Sequence, residues 1–350
     1  MNKKLKDIKI CIFGATGLVG DMIAELLDDQ YNKAGHGDKL SAENVTLVAS
    51  DHSVETQKEP PSFWLRLTDQ LRLIKAIDAL AMKPDIVLMS AGEDASKEWA
   101  KQFTDVGSFV IDNSSAWRMD IDVPLVVSGV SDWTPNNEQK LIANPNCVAI
   151  MVATALAPLV SFDMSVVAVT ALQSVSGAGQ KGLDALRNQE KNGRQYVSGI
   201  SGPFSDQVYN NIIPASLKVF SPETKYNLEE EKAMVELQKI LGFPLRSSFR
   251  SFRVPVQYGH TAAIRIKFKG KVALPEIEQA LSKGSNIIYT PYPVSLREVV
   301  EKDYCFVWGL RHDLMNEKVI EFVTMSDNIR LGAASNAVSI ASKIIESGIL

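Results

Sequence analysis

Apolar residues recur along the 350-residue chain in two rhythms, and the order of those rhythms outlines a fold. Short, mostly apolar runs at 8–13, 45–49, 84–90 and 107–112 have the length and β-branched content of buried strands. Between them Met22, Ile23, Leu26 and Leu27 repeat at helical spacing, and a second helix is expected over 97–104. Strands alternating with helices predict an α/β domain with a Rossmann-like, doubly wound parallel sheet. The polar stretch between Asp28 and Asn44 is expected to lie outside it.

Past residue 147 the pattern changes. The run 148–153 reads as a buried helix and 164–173 as a long strand. Helices are expected near 181–190, 228–241 and 273–281, with an alternating strand at 262–268. This predicts an α+β second domain, a mixed sheet with helices on one face. An amphipathic terminal helix is expected to open from the stretch Asp327 to Asn336. A chain of this length exceeds one comfortable core, so two domains are expected.

Composition narrows the function. Hydrophobic content of 45% and charged content of 22% are those of an ordinary soluble protein. A net charge of −4 argues against a nucleic-acid surface but leaves room for a local anion pocket. The three cysteines, Cys11, Cys147 and Cys305, have no metal-ligand spacing. Being sparse and odd in number, they fit a reducing cytoplasm better than a disulfide framework. The basic N-terminus leads into a strand, not a signal-peptide core. The longest apolar run, 148–162, is interrupted at Thr154, Pro158 and Ser161 and is too short to span a bilayer.

Candidate chemistry sits at the ends of predicted elements. The first strand runs into Gly14-Ala15-Thr16-Gly17-Leu18-Val19-Gly20 and then a helix, the setting in which a glycine turn binds a dinucleotide. After the second strand comes Ser50-Asp51-His52-Ser53, expected as a loop at the adenosine ribose; an acid there favours NAD and a cation NADP. Arg118 follows the carboxyl end of another strand, where a guanidinium can clamp phosphate or carboxylate. Asn144-Pro145-Asn146 reads as a tight turn that puts Cys147 at a helix start, where free N–H groups favour the reactive thiolate. The plain alternative is a cysteine packed in the core. Gln173, at a strand end, could hydrogen-bond a carbonyl oxygen. His260 is one of only four histidines and is expected in a loop, where a structural or solvated role is the commoner one. Glu229 and Lys232, one helical turn apart, read as a surface pair.

Six stretches together resemble the aspartate-β-semialdehyde dehydrogenase family over essentially the whole chain. They are Gly14 to Gly20, Asp112-Asn113-Ser114-Ser115-Ala116-Trp117-Arg118, Asn144 to Cys147, Gln173-Ser174-Val175-Ser176-Gly177-Ala178-Gly179, Arg253-Val254-Pro255-Val256 with His260, and Asp327-Asn328-Ile329-Arg330. The resemblance implies a dinucleotide-binding domain of 1–146 plus 329–350 and a catalytic and dimerisation domain of 147–328. It implies NADPH-dependent reductive dephosphorylation of L-4-aspartyl phosphate to aspartate semialdehyde, on the route to lysine, threonine, methionine and diaminopimelate, by a homodimer or homotetramer. Cys147 would form an acyl-thioester, His260 would be the acid/base and Gln173 would hold the substrate. Arg253 would bind the substrate carboxylate and Glu229 its amino group. Arg118, Asn146 and Lys232 would bind phosphate. Gly14, Thr16, Gly17, Leu18, Val19, Ser50, His52, Ser53, Ser176, Gly177 and Asn328 would touch the cofactor. Backbone N–H groups around Cys147 are the expected oxyanion donors.

The chain also departs from the family's pattern. The loop arginine that meets the 2′-phosphate is replaced by His52, preceded by Asp51, which leaves NAD open beside NADP. The sequence Ser128-Gly129-Val130-Ser131 replaces Pro-Glu-Val-Asn, and Thr261-Ala262 replaces Ser-Glu. Two other readings stay open: a related acyl-phosphate reductase acting on N-acetyl-γ-glutamyl phosphate, and a non-catalytic paralogue serving as a binding subunit. No metal is expected.

Overall fold

The computed structural model describes residues 3–33, 42–56, 73–193, 202–204, 206–215, 223 and 225–350. The expectation for the stretch between Asp28 and Asn44 lies outside the described residues at 34–41. Two compact units divide the chain, Met1–Pro145 with Ala333–Leu350, and Asn146–Gly332. The boundaries differ from those expected by a few residues, for a local reason. Asn146 caps the helix that follows it, while the amides of Ile329, Arg330 and Gly332 all donate to Asp327.

In the first unit six strands, β1 (Ile10–Phe13), β2 (Val45–Val48), β3 (Leu73–Ile74), β4 (Ile86–Met89), β5 (Phe109–Asp112) and β6 (Leu141–Ala143), form one parallel sheet. Its order is β3-β2-β1-β4-β5-β6, so the winding reverses between β1 and β4. Helices α1 (Leu18–Asp28), α2 (Asp51–Glu55), α3 (Ala76–Ala81) and α4 (Glu93–Asp105) connect the strands. Strands covered on both faces need unbroken apolar runs, and every residue of β1, β4 and β5 is buried. Ile23 and Leu27 of α1 join Ile10, Ile12 and Leu88 in the core. So do Val338, Ile340 and Ile344 of the closing helix, Asn336–Glu346. That helix opens at Asn336, the last residue of the stretch from which it is expected. Residues Arg330–Ser335 form a wider π-helical turn before it.

One expectation changes here. The segment after β2 is a short helix, α2, and not an open loop, because the Ser50 hydroxyl accepts the Ser53 N–H at 3.3 Å and caps it.

The second unit is built on a seven-stranded mixed sheet of order β11-β12-β13-β10-β7-β9-β8. Its strands are β7 (Met164–Gln173), β8 (Ile213–Pro214), β9 (Arg246–Arg253), β10 (His260–Phe268), β11 (Ile287–Tyr289), β12 (Cys305–Asp313) and β13 (Asn316–Ser326). Helices α5 (Cys147–Leu156), α6 (Gln180–Lys191), α7 (Leu228–Leu241), α8 (Leu274–Ser282) and α9 (Leu296–Val299) complete it. Residues of β10 alternate between buried and exposed, as one covered face requires. Helix α5 is apolar all round, and Val148 to Leu156 are buried throughout, as befits a helix in the interior.

The register of this sheet brings three polar residues level with one another. His260 pairs with Gln173, and Gln173 pairs with Arg253. Three adjacent strands therefore present histidine, glutamine and arginine on one rung. His260 is thus the first residue of β10 and wholly buried, not a loop residue. Among the described residues no helix is long and apolar enough to cross a membrane, and no cluster of His, Cys, Asp and Glu could hold a metal ion.

Candidate active site

Cys147 is the first residue of α5. Asn146 precedes it in extended conformation, and its side-chain oxygen accepts the Val148 N–H at 2.9 Å. The Asn146 N–H in turn donates to the Glu236 carboxylate at 2.6 Å. Glu236, on α7, is buried, and sequence reasoning missed it. A signal was available: Ala233, Glu236, Leu237 and Ile240 are all buried at helical spacing, so the acid stands within the apolar stripe. The amides on either side of Cys147 are already engaged.

The half-buried Cys147 sulfur lies 3.1 Å from His260 Nε2. Behind the cysteine stands Gly332, where a Cβ would come within 2.8 Å of the Cys147 Cβ. His260 Nδ1 accepts the Ser174 backbone N–H at 3.1 Å. With Nδ1 an acceptor, the neutral ring carries its proton on Nε2, directed at the sulfur. Burial, and then the positive charge of Arg253, hold the His260 pKa down to about 3, with the backbone at Gly259 pulling weakly the other way. The imidazole is neutral throughout the physiological range.

The neighbouring groups are tied to this pair. Ser174 Oγ donates to Asn328 Oδ1 at 3.0 Å, and Ser176 Oγ and the Gly259 N–H reach the same oxygen at 3.2 and 2.8 Å. Asn328 and Ser176, expected at the cofactor, are buried and bonded to the segments that carry His260. Gly177 packs so closely that a Cβ would sit 2.9 Å from Arg253 Nη1. Arg253 is 6% exposed; its Nη1 donates to the Ser174 carbonyl at 2.7 Å, while Nε has no hydrogen-bond partner among the described residues. Burial lowers its pKa, opposed by the charges of Glu229 and Cys147. A buried guanidinium suits a ligand carboxylate. Gln173 is buried on the same rung, and Glu229 and Lys232 are half-buried on α7.

The remaining predicted residues belong to the first unit. Gly14 has φ of 84° and its N–H donates to the Val48 carbonyl at 2.8 Å. At Gly20 a Cβ would fall 2.3 Å from the Gly14 carbonyl oxygen, so only glycine lets α1 pack this close. Gly17, Leu18 and Val19 open α1 without a side-chain cap, and Thr16 stands half-buried just before them. This tight turn and uncapped helix start fit a dinucleotide pyrophosphate. A cleft of about 390 Å³ beside it is lined by Gly14, Ser50, Asp51 and Trp99, among others. Ser53 Oγ stays within α2, 3.0 Å from Ser50 Oγ, and His52 is exposed. Arg118 is held by the carbonyls of Asn144 and Asn113 at 2.9 and 2.7 Å. Of the unusual residues, Ser128 donates its N–H to Asn336 at 2.8 Å and Ser131 Oγ accepts the Val127 N–H at 3.0 Å, both ties within the fold.

Known proteins resemble the chain over nearly its whole length. Residues 9–135 match the family model of the semialdehyde dehydrogenase NAD binding domain, and 156–331 that of the semialdehyde dehydrogenase dimerisation domain. The chain is 33% identical over 354 residues to aspartate-semialdehyde dehydrogenase of Rickettsia conorii, covering 98% of this chain and 99% of that one. It is equally 33% identical over 359 residues to the Aquifex aeolicus enzyme of that name, with 98% and 99% covered. The crystal structure of aspartate semialdehyde dehydrogenase II from Vibrio cholerae complexed with ASA superposes with a TM-score of 0.84 at 30% identity, covering 97% of this chain and 98% of that one.

Proposed function

This chain belongs to the aspartate-semialdehyde dehydrogenase family, and we propose that it converts L-4-aspartyl phosphate to L-aspartate 4-semialdehyde through an acyl-thioester on Cys147. The observation that carries the reading is the 3.1 Å pair of Cys147 and His260 at the start of α5.

The thiolate of Cys147 attacks the acyl carbon, a C–S bond forms, and the C–O bond to phosphate breaks with its electron pair leaving on phosphate. Lys232, Arg118 and the Asn146 side chain are the proposed partners of that anion. Arg253 takes the substrate α-carboxylate, Glu229 takes the amino group, and Gln173 orients the acyl oxygen. The chemistry that a nicotinamide dinucleotide would supply here, when bound, is hydride for the thioester carbon. The C–S bond then breaks, and the Nε2–H of His260 stabilises the departing sulfur as it stabilised the attacking one. In this geometry His260 is a hydrogen-bond donor to sulfur, and the accepting Nδ1 is kept by the Ser174 amide.

Gly14, Thr16, Gly17, Leu18 and Val19 would hold the dinucleotide, with Ser50, His52 and Ser53 toward its adenosine end and Ser176, Gly177 and Asn328 toward the nicotinamide. The expected cofactor is NADP, with NAD left open beside it. The exposed face of the second sheet, with Val166 and Leu172, supports association of like chains. Free thiols at Cys11 and Cys305, both buried, suit the cytoplasm. Phosphate-dependent reduction of NADP or NAD by aspartate semialdehyde tests the reaction. No reduction with either dinucleotide would end it.

A further inference from the structure

The cleft beside the glycine turn contains a cation that no sequence pattern marks. Strands β1, β2 and β3 run parallel side by side, so the residues after them emerge along one edge of the sheet. Gly14 follows β1, Ser50 and Asp51 follow β2, and Lys75 follows β3 directly. Lys75 Nζ reaches back over the end of β2, to 3.4 Å from Asp51 Oδ2 and 3.0 Å from Glu55 Oε1. Both lysine and aspartate line the 390 Å³ cleft with Gly14 and Trp99. Among the described residues that line it, Lys75 is the only cation.

We propose that Lys75 reads the 2′-phosphate of NADP and that Asp51 reads the free 2′-hydroxyl of NAD, so that this pair sets the cofactor preference. The inference rests on the dinucleotide reading of the glycine turn. The adenosine ribose of a dinucleotide held at such a turn lies over the end of the second strand, where Asp51 stands. A carboxylate alone there accepts from ribose hydroxyls and repels a phosphate. An ammonium 3.4 Å away changes that balance, because it can turn from the carboxylate to the phosphate and pair with it as a point charge. Glu55 holds the lysine over the cleft when no phosphate is bound. The arginine missing at position 52 is thus replaced from a different strand. A cation already paired with two carboxylates gains less from a phosphate than an unpaired one, so the two dinucleotides should bind with similar strength.

Titration of the full chain with 2′,5′-ADP and with 5′-AMP, followed by calorimetry, tests this without turnover. The two dissociation constants should lie within about tenfold of each other. Loss of one charged hydrogen bond in Lys75→Gln should weaken 2′,5′-ADP relative to 5′-AMP by about tenfold. Lys75→Arg should keep the original ratio, and Asp51→Asn should move it toward 2′,5′-ADP. An unchanged ratio in Lys75→Gln while both nucleotides bind overturns the inference alone. Equal weakening of both means that Lys75 only supports the fold, and overturns it as well. If neither nucleotide binds the natural chain, the dinucleotide site itself is overturned and this inference with it.

Discussion

The sulfur of Cys147 lies 3.1 Å from Nε2 of His260, a residue 113 positions later in the chain. One group comes from a helix start and the other from the first position of a strand. Their meeting turns a buried imidazole into a fixed donor to a nucleophile, and the consequences can be measured.

Cys147→Ser should lower turnover by at least about 10³-fold, since the intermediate is carried by this sulfur. Nucleotide affinity should stay within about twofold. Initial rates of aspartate-semialdehyde oxidation, with parallel nucleotide titrations, check it. Unchanged turnover in this variant would rule out the thioester.

Stability should depend on pH through His260. In the unfolded chain imidazole titrates at 6.5, whereas folded it takes a proton only near a pKa of about 3. The unfolded state therefore binds more protons in that interval, and stability falls as pH drops from 6.5 toward about 3. Denaturant midpoints of the natural chain and of His260→Gln between pH 7 and pH 4 compare the slopes. The variant should lose stability less steeply; identical slopes would contradict a neutral buried imidazole.

Glu236→Ala should cost about 1–3 kcal/mol, the penalty for leaving the Asn146 amide and its surroundings without their acceptor. The rate should fall as well, because that amide fixes the turn before the nucleophile. Glu236→Gln keeps an acceptor oxygen and should recover most of the rate. Unfolding midpoints and kcat together separate this from a purely structural effect, which would spare kcat.

Gly332→Ala should displace the nucleophile, since the new methyl would press on Cys147 at 2.8 Å. A shift approaching 1 Å at a reacting atom costs on the order of 10²-fold. Both kcat and the rate of thiol alkylation should drop. If alkylation alone is unchanged, the methyl has been absorbed elsewhere.

Much of the fold and of the site is legible in the sequence where the signal is local. The run from Asn144 to Ala153 holds turn, cap and buried helix within ten positions, and it places Cys147 correctly at the helix start. The unbroken apolar strands of the first unit read equally well, because a strand buried on both faces leaves no ambiguity. The rest depends on distant pairing. Nothing near His260 announces that β10 pairs with β7, and so its loop-like glycine neighbour points to an exposed position. Glu236 is hidden for a related reason: its partner is a backbone amide 90 positions away, a group that every residue but proline carries. Lys75 follows a strand of two residues, too brief to register as a pattern. The segment after β2 escapes differently. Its helix is five residues long and rests on the Ser50 cap.

The rung that carries His260, Gln173 and Arg253 also limits how this sheet can change in length. Irregular pairing occurs far from it, between Lys267 and Phe268 on β10, and along β12 at Trp308, Arg311 and His312. An insertion or deletion at those places is absorbed before it reaches the rung. One extra residue in the last half of β7 would instead turn Gln173 to the opposite face of the sheet. Homologues should therefore differ in size at the β12–β13 hairpin tip and keep the spacing that leads into positions 173, 253 and 260. Loop grafts and affinity tags have the same safe harbour.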